Sequence, residues 1–106
     1  MDAPRLERGD FALLLLALLA ERRMYGYEIV TELRTRTTAV VDLPEGTVYP
    51  ALRRLERDGQ IAGEWVVQAS GPRRRYYRLT TAGEKALADG RESWKRFAAA
   101  AGGILG

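Results

Sequence analysis

Ten consecutive apolar residues near the start of the chain, Phe11 to Ala20 (FALLLLALLA), constrain the fold more than any other segment. The run is too short to span a bilayer, which takes about 20 residues. Nor does it read as a secretory signal. Asp2, Arg5, Glu7, Arg8 and Asp10 precede it with mixed sign, and Glu21-Arg22-Arg23 follows with no small-residue cleavage site. The run therefore predicts a buried helix from about Gly9 or Asp10 to Arg22, capped by Asp10, in a cytoplasmic protein. A helix that is apolar almost all round must be covered on more than one side. A chain of 106 residues is one domain's worth. It has little with which to cover such a helix, so a second copy is expected to supply part of the cover.

Composition narrows the chemistry. The chain has no cysteine and no histidine. That removes disulfides, thiolate zinc sites, cysteine nucleophiles and the commonest general base and metal ligand. Acid–base chemistry would fall to carboxylates, hydroxyls, Lys85 or Lys95, and no paired carboxylates stand out on a helix face beside an apolar pocket. We read a binding protein, not an enzyme, with no metal and no cofactor. The net charge is +3, and fifteen of the seventeen basic residues are arginine. The excess is concentrated in residues 53–81, where seven arginines face three acidic residues. Arginine forks onto phosphates and guanine edges.

Periodicity gives the remaining elements. A second helix is expected from Gly26 to Arg36, with Ile29, Val30 and Leu33 inward. Pro44 presets the start of a third helix, Glu45 to Asp58, with Gly59 just past its end. On that helix Val48, Leu52 and Leu55 form one stripe. Gly46, Pro50, Arg53, Arg54 and Arg57 form the opposite face, with Thr47 and Tyr49 on its flanks. Ile61 to Gln68 alternates as a strand, Ala69-Ser70-Gly71-Pro72 is a turn signal, and Arg74 to Thr80 returns. The resulting hairpin carries Arg73, Arg74 and Arg75 at its tip, and Trp65 is expected in its core. A last helix starts at Thr80 or Thr81, where Thr81-Ala82-Gly83-Glu84 fits a capping box. In it Leu87, Gly90, Trp94, Phe97, Ala101 and Ile104 recur at heptad spacing, a seam suited to a second copy of the same helix. Gly102 and Gly103 are expected to fray its end.

The expected fold class is mainly α with a two-stranded β-wing: a winged helix-turn-helix over residues 1–80, then a long C-terminal dimerisation helix over 81–106, in one compact unit. The third helix would enter a major groove of double-stranded DNA. Its arginines would read guanine edges, Thr47 and Tyr49 would offer hydroxyls, and the wing arginines would meet phosphates or a minor groove. A homodimer would then require a pseudo-palindromic operator with half-sites about one turn, roughly 10 base pairs, apart.

Three segments, LLALLAERRMYGYEIVTEL (Leu15 to Leu33), LPEGTVYPALRRLERDGQI (Leu43 to Ile61) and GPRRRYYRLTTAGEKAL (Gly71 to Leu87), resemble the PadR family of bacterial transcriptional regulators in its short form. The resemblance implies a homodimeric winged-helix repressor. It implies control of genes for aromatic-acid detoxification or drug efflux, and release from DNA when a small molecule binds. The positions matching the family's recognition helix are Thr47, Tyr49, Pro50 and Arg53. Tyr27 matches a tyrosine near the backbone, and Gly71 to Arg75 with Tyr76 matches the wing. Glu92-Ser93-Trp94-Lys95-Arg96 looks like the segment of drug-responsive members whose tryptophans sandwich planar aromatic ligands at the dimer centre. Phe97 and Leu15 are the next ligand candidates. The tail, Ala98 to Gly103, is smaller than a typical family tail. A winged-helix protein-interaction module is the alternative. It would not need a basic helix face and a basic wing together.

Overall fold

The computed structural model describes residues 8–106, so the flanking charges Asp2, Arg5 and Glu7 lie outside the described residues. The chain runs α1 (Arg8–Glu21), β1 (Met24–Tyr25), α2 (Gly26–Arg36), α3 (Glu45–Arg57), β2 (Ile61–Val66), β3 (Arg74–Leu79) and α4 (Thr81–Leu105). This is a mainly helical winged-helix fold with a long C-terminal helix. The sheet has three antiparallel strands in the order β1-β3-β2, one more than the hairpin pattern predicts. The extra strand is only Met24–Tyr25, pairing with Tyr77 and Tyr76. Two residues are too few to show alternation, so only the approach of β3 turns them into a strand.

The core is built around α1. Leu15, Leu16, Leu18 and Leu19 meet Ile29 and Leu33 of α2, Val48, Leu52 and Leu55 of α3, Ile61 and Tyr77 of the sheet, and Leu87 of α4. Within the apolar run only Ala20 is exposed. The protomer thus covers its apolar helix more fully than its length suggests, because α2, α3, β3 and α4 all pack against it. None of the described helices is long and apolar enough to cross a membrane.

Local details depart from expectation in four places. Asp10 lies inside the first turn of α1 rather than at its N-cap. The cap of α4 is Thr80, whose Oγ1 accepts from the Gly83 N–H at 3.1 Å, so the pattern starting at Thr81 sits one residue too late. Helix α4 continues through Gly102 and Gly103 to Leu105. Its 25 residues reach about 37 Å at the usual rise. Trp65 is exposed, not in the core of the wing.

Both α2 and α3 end in a Schellman motif. After α3, Gly59 N–H donates to Glu56 O at 3.0 Å and Gln60 N–H to Leu55 O at 3.0 Å. Gly59 takes the left-handed conformation that this motif needs, φ +76°. After α2, Thr38 and Ala39 donate in the same pattern to Thr35 O and Arg34 O. The left-handed residue closing the motif there is a threonine, with φ 53°, and Ala39 after it is left-handed as well, with φ 63°.

Candidate nucleic-acid interface

The two faces of α3 differ in kind. Val48, Leu52 and Leu55 are buried, whereas Gly46, Thr47, Pro50, Arg53 and Arg57 are exposed and Arg54 is half-buried. Among the described residues, Arg53, Arg54 and Arg57 have no carboxylate within ion-pair distance. The start of α3 is thin, because Gly46 has no side chain and Pro50 only a flat ring. Groove walls can come close to such a surface.

Tyr49 is placed differently from Thr47. It is half-buried, and its ring lies directly on the backbone of Gly26 at the start of α2. Burial, and next the Glu45 carboxylate, hold its phenol above the ordinary 10.0, so it remains a neutral hydrogen-bond donor. Its ring packs between α2 and α3 and remains partly exposed. Tyr27, in the first turn of α2, projects to solvent.

The wing divides its candidate residues between two faces. Arg74 and Arg75 belong to β3 rather than the tip, which spans residues 67–73. Arg74 and Tyr76 lie on the outer face of the sheet. Arg74 stacks 4.5 Å over Tyr25, and Tyr25 meets Tyr76 edge-on at 5.4 Å. Arg75 lies on the α3 side with Tyr77 and is ion-paired to Glu56 at 2.5 Å, so it is not a free cation. Arg73 stacks 4.7 Å over Trp65.

A groove of about 450 Å³ runs between α1 and α4, lined by Leu13, Leu16, Gly90, Ser93, Trp94 and Phe97 among others. Leu15, expected beside a ligand, does not reach it. Its side chain is fully buried in the core, and Leu13 and Leu16 take that place on the lining. Leu13 lies against Gly90 on the groove wall: a Cβ there would sit 2.6 Å from Leu13 Cδ1. Leu87, expected in a seam between copies, is buried inside the protomer. The helical stripe is therefore shared. Its first two positions pack on α1, and Trp94, Phe97 and Ile104 remain exposed, with Ala101 half-buried.

Comparison with known proteins agrees with this architecture. Residues 15–89 match the model of the Transcriptional regulator PadR-like family. The chain belongs to that family. A transcriptional regulator of Mycobacterium tuberculosis is 35% identical over 92 residues, covering 87% of this chain and 82% of the relative. The structure of a transcriptional regulator from Clostridium thermocellum superposes with a TM-score of 0.84 at 32% identity, covering 93% of this chain and 96% of that one. Bacillus subtilis PadR, solved in complex with operator DNA, shares the fold with a TM-score of 0.69 at 24% identity, over 74% of this chain and 45% of that one. These relatives are transcriptional regulators, and this PadR-like chain is a regulator rather than an enzyme.

Two features of the PadR-like surface escape sequence reasoning. Glu56 reads as an ordinary acidic neighbour of the α3 arginines, yet it accepts from both Arg75 and the Gly63 N–H. Trp65 was legible as sharing a strand face with Ile61 and Gly63. That this face leaves the core as it nears the tip depends on how the strand lies on α3.

Proposed function

We propose that the protein is a cytoplasmic, homodimeric, sequence-specific DNA-binding repressor. Residues 8–80 form the reading unit, and α4 joins two copies. Each copy lays α3 in a major groove of double-stranded DNA. Thr47, Pro50, Arg53 and Arg54 face the bases or their backbone, Tyr27 meets a phosphate, and Arg73 and Arg74 flank the neighbouring backbone. Two-fold symmetry then calls for a pseudo-palindromic operator. The observation that carries the reading is the arginine face of α3, without an ion-pair partner among the described residues, set opposite its buried Val48–Leu52–Leu55 stripe. The apolar stripe of Trp94, Phe97, Ala101 and Ile104 favours pairing of α4 with α4, since isolated helices rarely leave so much apolar surface uncovered.

The groove beside Trp94 and Phe97 has the volume and aromatic lining of a small-molecule site. A planar aromatic effector lodged there would bind one separation of the two recognition helices better than the other and so weaken operator binding. The test is a fluorescence-anisotropy titration against the DNA upstream of the protein's own gene, beside a scrambled duplex, at two salt concentrations. Own-promoter binding about a thousandfold tighter than scrambled supports the reading. Weak binding to both, lost as salt rises, overturns sequence-specific recognition of that site.

A further inference from the structure

Glu56, Arg75 and Gly63 form a clip between the wing and α3. The Arg75 guanidinium crosses directly over Gly63, where a Cβ would sit 2.7 Å from Nη2. A Cβ at residue 63 would push the guanidinium off this path. At its end Arg75 donates to Glu56 Oε2 at 2.5 Å, and the Gly63 N–H donates to the same oxygen at 3.3 Å. One carboxylate on α3 therefore holds both long strands of the wing. Both charged side chains are only 30% exposed, so the pair is screened less than an open surface pair.

Directly across from Arg75 on the ladder is Trp65. It follows Ile61 and Gly63 on the same face of β2, the face that packs on α3. Ile61 at the base is buried, whereas Trp65 is 54% exposed. Its ring is flanked by Arg73 at 4.7 Å and Arg75 at 5.4 Å. Because Glu56 neutralises Arg75, Arg73 is the cation on this face with no ion-pair partner among the described residues. The result is an exposed indole with one free guanidinium stacked over its ring, on the sheet face that packs on α3. A sugar–phosphate wall presents the complementary surface, apolar deoxyribose beside anionic oxygen.

We propose that Trp65 is a DNA contact of the wing, and that Glu56, acting through Arg75, is the positioning residue that sets its angle to α3. The inference rests on the DNA-binding reading above. Arg75 then contributes geometry rather than phosphate charge. A free Glu56 carboxylate facing the duplex would be repulsive, and its pairing with Arg75 removes that repulsion.

The experiment uses full-length protein carrying 5-fluorotryptophan, its two fluorine resonances assigned through Trp65→Phe. A fluorescein-labelled duplex from upstream of the protein's own gene reports complex formation by anisotropy. On binding, the Trp65 resonance is expected to shift and lose its sensitivity to solvent deuteration. Trp65→Ala is expected to weaken affinity about tenfold, the effect of covering roughly 55 Å² of ring. Glu56→Gln keeps the hydrogen bonds but frees the Arg75 charge. The dependence of log affinity on log salt should then steepen by about 0.9. Glu56→Ala removes the acceptor of both bonds and should abolish the Trp65 resonance shift on binding; a Glu56→Ala complex that keeps that shift overturns the positioning role. A complex that forms with the Trp65 resonance and the Trp65→Ala affinity unaltered overturns the proposal and leaves the DNA-binding reading standing. Failure to bind this or any mixed-sequence duplex at low salt overturns both.

Discussion

The ring of Tyr49 on α3 rests on the backbone of Gly26 at the first position of α2. Any side chain at residue 26 would occupy the space of that ring, so this contact sets how closely the two helices of the helix-turn-helix approach. Gly26→Ala is expected to cost about 1–3 kcal/mol by overpacking, although alanine is otherwise the better helix residue. Urea unfolding measures it, and an unchanged midpoint would show that the ring has another place to go.

The same contact gives a pH signature. The phenol of Tyr49 is held above its ordinary 10.0 by burial. As pH rises past that value the unfolded chain loses its proton before the folded one does. Folded stability therefore declines with rising pH in this range. Tyr49→Phe should remove this residue's share of the alkaline decline, leaving a shallower stability curve above pH 10.

The two Schellman motifs make a matched pair. Gly59 adopts its left-handed conformation freely, while Thr38 adopts it with a β-branched side chain. Thr38→Gly should stabilise the protein by about 1 kcal/mol and Gly59→Ala should destabilise it by about as much. Equal and opposite shifts in chemical-denaturation midpoint would verify this. A Thr38→Gly protein less stable than its parent would show that the threonine gains something from its surroundings.

On the proposed DNA surface, Arg53→Ala should weaken operator binding by about 1–3 kcal/mol and relax discrimination at one base pair. Arg73→Gln should reduce the salt slope by about 1 with little effect on base preference. Arg75→Gln should weaken binding by leaving the Glu56 carboxylate unpaired, whereas Arg75→Gln combined with Glu56→Gln should leave the slope nearly as it is, because the pair is neutral. Titrations over a salt series separate these variants, and equal slopes for Arg73→Gln and the Glu56–Arg75 double variant would contradict the assigned division.

At the other end of the molecule, Phe97 is 71% exposed on α4. Phe97→Asp places a charge on the stripe proposed to join two copies. Sedimentation velocity should show the parent as a dimer and the variant shifted toward monomer, with the fold retained by circular dichroism. A monomeric parent would remove the homodimer from the functional reading.

Much of this was determined by residue order. The apolar run from Phe11 to Ala20 could only be a buried helix, the Val48–Leu52–Leu55 period defined a helix with a basic reverse face, and the turn at residues 69–72 joined two alternating segments. These signals are local. They repeat within a few residues and arise from the geometry of one helix or one strand. Only the tertiary structure decided which partner each face would meet. Leu15 and Leu87 share the composition of an interface but are consumed by the protomer's own core, because four elements close around α1. Met24–Tyr25 becomes a strand only beside β3. Arg73, Arg74 and Arg75 look equivalent in sequence. Strand alternation sends Arg74 to the outer face, and Glu56, nineteen residues away, claims Arg75. A side chain's charge is written in the chain. Whether that charge is free depends on distances between residues that only packing brings together.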